Sequence, residues 1–147
     1  MNGITLEEVT EERDLGVIIQ NNLKWDKQCA KSVGTANRIL GMIKRTFCYL
    51  DKTVVLQLYK SLVRPHLEYG IQAWRPHLQK DIDFIERVQR RATKLIPTLK
   101  DKPYEMRLKL LNLTTLETRR LRGDLIEVFK ILKGFDDIDF RRFFCFK

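Results

Sequence analysis

"ERVQRRATKLI", Glu86–Ile96, is the stretch whose reading decides the fold. Val88, Ala92, Leu95 and Ile96 recur at steps of three and four, which puts them on one side of a helix. Arg87, Arg90, Arg91 and Lys94 recur at the same spacing on the other side. One side belongs in a core; the other meets water, carboxylates or phosphates. Pro97 stops this helix and Pro76 divides it from the preceding segment, so it is expected over Asp81–Ile96.

Outward from there the pattern stays helical. Cys29, Val33, Ala36, Leu40, Ile43 and Phe47 step by four and three and predict one long helix, in which Gly34 and Gly41 permit close packing. Asp51 offers an N-cap for a second, with Val55, Leu58, Tyr59 and Leu62 as its apolar side. Pro65 is expected to end or kink it, and Leu67, Ile71 and Trp74 predict a short third helix. Past Pro97, Pro103 opens a short helix through Leu110, with Asp101 a candidate cap. Thr114 or Thr115 caps a last helix to Lys133, stopped by Gly134, with Leu121, Leu125, Val128, Phe129 and Leu132 as the expected core stripe. At the other end, Ile4–Val9 and Leu15–Ile19 read as strands closed through Thr10–Asp14. Two strands do not make a stable sheet, so this hairpin must pack on helices or on something outside the chain. The expected fold is therefore mainly α: a helical bundle with a small N-terminal β-hairpin. The divisions are 1–24 for the hairpin, 25–134 for the helical domain and 135–147 for a tail. The 147 residues are enough for one domain with a real core.

Charge narrows the partners. Lys and Arg number 28 against 19 Asp and Glu, a formal charge of +9. That balance favours nucleic acid, an anionic membrane surface or an acidic partner, without choosing among them. Cys29, Cys48 and Cys145 are odd in number and widely spaced, which argues against a disulfide framework or a zinc site. The acidic start MNGITLEEVTEERD lacks the apolar core of a signal peptide, and no apolar run reaches the length of a membrane span. A cytoplasmic or nuclear protein without membrane attachment is the expectation.

For candidate sites, the basic side of the quoted helix leads. Arg119, Arg120 and Arg122 form a second cluster near the start of the last helix, where cations oppose the macrodipole. Lys100, Lys102, Arg107 and Lys109 lie between the two. Together they point to contact with phosphates. The chemistry of a catalytic site is harder to find. His66 and His77 have no second ligand or nucleophile at a useful spacing and read as structural residues at helix starts. Trp25 and Trp74 read as core or interface. Tyr49, Tyr59, Tyr69 and Tyr104 are too dispersed for a base-stacking row. "GFDDID", Gly134–Asp139, holds adjacent aspartates, as polymerase metal sites do. Reverse-transcriptase-type polymerases place such a pair in a strand turn with an aromatic two residues ahead. Here Gly134 holds that place and the pair follows a helix end. No catalytic residue, metal site, cofactor or small-molecule substrate is expected.

The order of five segments is familiar: "RDLGVIIQNNLKW" (Arg13–Trp25), "ANRILGMIKRTF" (Ala36–Phe47), "LYKSLVRPHLEYGIQAWRP" (Leu58–Pro76), "IERVQRRATKLIP" (Ile85–Pro97) and "PYEMRLKLLNLTTLETRRLRGDLIEVFKILKG" (Pro103–Gly134). Together they resemble the C-terminal end of the reverse transcriptase of LINE-type, non-LTR retrotransposons of the jockey-like group. The resemblance implies a palm-end hairpin remnant followed by a thumb-like helical domain, which in such enzymes holds the template–primer duplex. RNA, DNA or an RNA–DNA hybrid are then the implied partners, with binding tolerant of base sequence. It also implies a fragment without catalysis, because the palm with its metal-binding aspartates and the preceding endonuclease have no counterpart among these segments. An open reading frame in a truncated copy, begun at an internal Met and ending in an altered or frameshifted "DFRRFFCFK", is the matching expectation. An uncovered hairpin edge and the tail residues Phe140, Phe143, Phe144 and Phe146 both invite self-association. Two other readings stay open: a truncated product with no selected role, and a basic helical protein–protein module.

Overall fold

The computed structural model describes residues 8–136, 138, 139 and 141. The described chain is mainly helical, with one two-stranded antiparallel hairpin at its start. β1 covers Glu11–Asp14 and β2 covers Val17–Gln20, paired from Glu11 opposite Gln20 to Asp14 opposite Val17. The helices are α1 (Asp26–Thr46), α2 (Lys52–Leu58), α3 (Arg64–Glu68), α4 (Gln79–Lys94), α5 (Tyr104–Leu111) and α6 (Leu116–Lys133).

The hairpin turns later than its sequence pattern indicates. Thr10–Asp14 does not form the loop: Glu11–Asp14 is itself a strand, and the turn is Leu15–Gly16. Both turn residues have positive φ, 44° and 86°, the twist that a two-residue hairpin needs. Ile4–Glu7, read as part of the first strand, lie outside the described residues. The hairpin packs on the helices. Val17 joins the main core, the Ile18 amide donates to Gln28 Oε1 of α1 (3.0 Å), and the Tyr69 hydroxyl donates to the Leu15 carbonyl (2.9 Å).

α1 and α4 form the centre. Cys29, Val33, Ala36, Leu40 and Ile43 of α1 are buried with Ile85, Val88 and Ala92 of α4. Each Val, Leu or Ile among them contributes about 1.5–3 kcal/mol when fully removed from water. Tyr59, Val63, Leu67 and Trp74 complete this core. A smaller cluster of Val55, Ile96, Leu99 and Leu111 ties α2 and α5 to the end of α4.

Asp51 caps α2 as expected, its carboxylate accepting from the Val54 amide at 2.7 Å. Pro65 neither ends the helical path nor breaks it sharply. A π-helical turn, Tyr59–Val63, carries the chain from α2 into α3, and the Arg64 amide reaches back to the Tyr59 carbonyl. Proline cannot donate and crowds the carbonyl four residues back, and a wider turn relieves both. The third helix is shorter than Leu67–Trp74, ending at Glu68. Gly70 has φ 66°, and a Cβ there would sit 3.2 Å from Val17 Cγ2 of β2, so a small residue in a left-handed turn is required where the hairpin docks. Asp101 makes no cap for α5, whose N-cap position is Pro103. Thr115 caps α6, its hydroxyl accepting from the Thr118 amide at 3.1 Å.

The largest departure is in α6. Its expected core stripe is not buried: Leu121, Leu125, Phe129 and Leu132 are exposed, and only Leu116 and Arg120 of this helix are buried. Phe143, Phe144 and Phe146, like Phe140, lie outside the described residues.

A polar hub fixes which way α4 faces. Gln89 is fully buried; its Oε1 accepts from the Tyr59 hydroxyl (2.7 Å), and its Nε2 donates to the Tyr104 hydroxyl and the Thr114 carbonyl (both 2.9 Å). Tyr104 in turn donates to Glu86, whose second oxygen accepts from the Leu116 amide at 2.9 Å. A carboxylate from α4 thus holds the first amide of α6, where the helix dipole favours negative charge. With Glu86, Gln89 and Thr93 turned inward beside Val88 and Ala92, the remaining arc of α4 must face outward.

Candidate nucleic-acid interface

That outward arc carries Arg87, Arg90, Arg91 and Lys94, all exposed. They do not form one uniform row. Arg91 leans toward α1, where its Nη1 donates to Asn37 Oδ1 at 3.2 Å. Arg90 leans toward α5 and lies over the Tyr104 ring, 4.6 Å from its centroid. Arg87 and Lys94 lie between these two directions, and among the described residues neither has a hydrogen bond or ion pair.

Where α1 and α4 meet at the surface, an open cleft of about 380 Å³ is lined by Asn37, Leu40, Gly41 and Lys44 of α1 with Arg91, Lys94 and Leu95 of α4 and its end. Asn37, Gly41 and Lys44 stand at i, i+4 and i+7, matching the spacing of Arg87, Arg91 and Lys94. The cleft therefore has a cation on each wall and an apolar floor, and Gly41 adds no side chain to narrow it. Lys44 is a site residue that the sequence pattern alone did not single out. Its signal was present: if the apolar stripes of α1 and α4 face each other, the polar residues beside each stripe must also become neighbours.

The second basic cluster is not one uniform surface. Arg119 is paired with Glu68, Nε to Oε1 at 2.6 Å and Nη2 to Oε2 at 3.2 Å, and this charge-assisted bond raises its pKa. Glu68 also lies 3.6 Å from Arg64 Nε. Arg120 is 4% exposed, donates to the Leu67 carbonyl at 2.6 Å and stacks on Trp74 at 4.4 Å. Burial lowers its pKa. Arg120 is thereby closed to a phosphate, whereas Arg119, its side chain 39% exposed, already has a carboxylate as partner. Arg122 alone of the three is exposed with no hydrogen bond or ion pair among the described residues, and it does not line the cleft. Between the clusters, Arg107 is also internal, donating to the Arg90 carbonyl (2.8 Å) and the Thr93 hydroxyl (2.7 Å), whereas Lys100, Lys102 and Lys109 are exposed.

The other sequence candidates also have definite places. Trp74 is buried and Trp25 half-buried, as core residues. His66, within α3, and His77, just before α4, are both exposed. Asp136 follows the end of α6, and Asp137 lies outside the described residues. No group of three or more metal-ligating side chains occurs among the described residues, and none of their helices is long and apolar enough to cross a membrane. No family model, curated protein or solved structure matches the chain.

Proposed function

We propose that this chain is a non-catalytic, thumb-like remnant of a LINE-type reverse transcriptase that binds nucleic acid through its backbone, without regard to base sequence. The supporting observation is the α1–α4 cleft, lined by Lys44 of α1 and by Arg91 and Lys94 of α4, with Arg87 outside it on the same exposed arc of α4. Point charges fixed on two packed helices suit a row of phosphates, and none of the four sits opposite a carboxylate. RNA, DNA or an RNA–DNA hybrid all present such a row. Arg90, held over Tyr104, belongs to the rim of this surface. The exposed apolar side of α6 favours a second reading, a protein–protein module.

The test is binding of a labelled RNA–DNA hybrid at several salt concentrations. If four phosphates are neutralised, log K falls with log salt at a slope of about −3.6 on B-form DNA, and somewhat less steeply on single strands. Changing Lys44, Arg87, Arg91 and Lys94 to Gln should weaken binding on all sequences alike and flatten the slope, while the fold survives because Gln is a good helix former. Unchanged affinity and slope in that variant would mean that the cleft meets only water.

A further inference from the structure

α6 turns an apolar side to solvent along most of its length. Leu125 is 61% exposed and Phe129 53%, and Leu121, Leu132 and Phe135 are exposed with them. The helix is anchored by the buried Leu116 and Arg120 and touches the body further through Gly123, against Ile71, and Asp124, bound to Arg75, while the side carrying Leu121, Leu125, Phe129 and Leu132 stays exposed. A second helix can therefore reach this side without disturbing the fold. We propose that it is the interface of a parallel dimer, with α6 of one copy packed along α6 of another.

The pattern of the helix selects this occupant. On α6 itself Leu121, Leu125, the half-buried Val128 and Leu132 alternate steps of four and three, the repeat that two helices share when they wrap around one another, and the exposed Phe129 lies beside them. A seam that repeats this way is complementary to itself. Charge then sets the direction. Glu117 and Asp124 flank the seam on one edge and Arg122 flanks it on the other. In a parallel pair, opposite edges meet, and Glu117 of each helix faces Arg122, five residues further on, of the second copy. In an antiparallel pair each edge meets itself and this attraction is lost. Both residues are free to pair: neither Glu117 nor Arg122 has an ion pair or side-chain hydrogen bond among the described residues, whereas Asp124 is already bound to Arg75 at 3.1 Å. The seam from Leu121 to Leu132 is about 17 Å long at 1.5 Å per residue, short for a coiled coil. The dimer is accordingly weak, with a dissociation constant on the order of micromolar.

Sedimentation velocity of the whole chain, free of nucleic acid and followed from about 1 to 200 µM, should give a monomer–dimer equilibrium. L125E/F129E should be monomeric throughout, with the wild-type melting temperature at low concentration, because both positions are exposed in the monomer. E117R and R122E should each weaken the dimer about tenfold by setting like charges across the seam, and E117R/R122E should restore it. A wild-type chain that stays monomeric, or association that persists in L125E/F129E, would overturn the proposal. Failure of the double exchange to restore the dimer would overturn the parallel pairing.

Discussion

Arg119, Arg120 and Arg122 are neighbours in sequence with three different roles. The first is paired with Glu68, the second lies buried on Trp74, and the third is exposed. Arg120 is the least usual. Its Nε and Nη1 have no hydrogen-bond partner, and Glu68 and Asp124 stabilise its charge without an ion pair. Burying a cation without a paired carboxylate costs free energy, which these charges, its stacking and its bond to Leu67 partly offset. Arg120→Met should therefore change stability by only about 1 kcal/mol in either direction. Its affinity for a hybrid duplex should match wild type within about twofold, whereas Lys94→Gln should lose more than this. Filter binding of the two variants side by side checks it; an equal loss from both would return Arg120 to the binding surface.

Elements are joined here by polar contacts as much as by apolar ones, and this gives the fold a dependence on alkaline pH. Burial pushes the Cys29 thiol of α1 from its ordinary 9.0 up to about 12. Burial likewise raises Tyr59 and Tyr104 above their ordinary 10.0, with the hydrogen bond to Glu86 adding to the shift of Tyr104. In each case the folded chain keeps a proton that the unfolded chain releases. The contribution is complete below the ordinary pKa values and is lost as pH rises above about 9–10. Melting temperature should fall steeply between about pH 8 and pH 10.5. Tyr104→Phe should melt lower than wild type at pH 8 yet lose less between the two. Equal losses would show that the Tyr104 proton takes no part.

The same elements show what could be read from the residues. α1, α2, α4 and α6 were legible because periodicity, Asp51, Thr115 and Gly134 all act within a few residues of one another. β1 was not, because EERD carries no apolar alternation and Leu15 is an unusual choice for a left-handed turn position. The cleft was half legible. Spacing exposed Arg87, Arg91 and Lys94, but Lys44 joins them only through the packing of α1 on α4. Arg119 and Arg120 misled for the opposite reason: nothing local to their sequence marks Glu68 or Trp74, some fifty residues earlier, as their partners.

At the scale of the whole molecule, the chain is firmly built around α1 and α4 and becomes progressively less anchored along α6. One end of that helix is held by Thr115, by Glu86 and by the buried Arg120; the other ends at Gly134 with no buried side chain near it. A single continuous helix thus spans a gradient of local stability, and amide hydrogen exchange can read it. In dilute solution, amides near residues 120–124 should exchange slowly and those near 129–133 much faster. Raising the concentration should slow the second group while leaving the first almost unchanged, because self-pairing would supply the anchor that the monomer lacks. Mass spectrometry of the exchanged peptides would then report, from one helix, both how firmly the fold is closed and how often two copies meet.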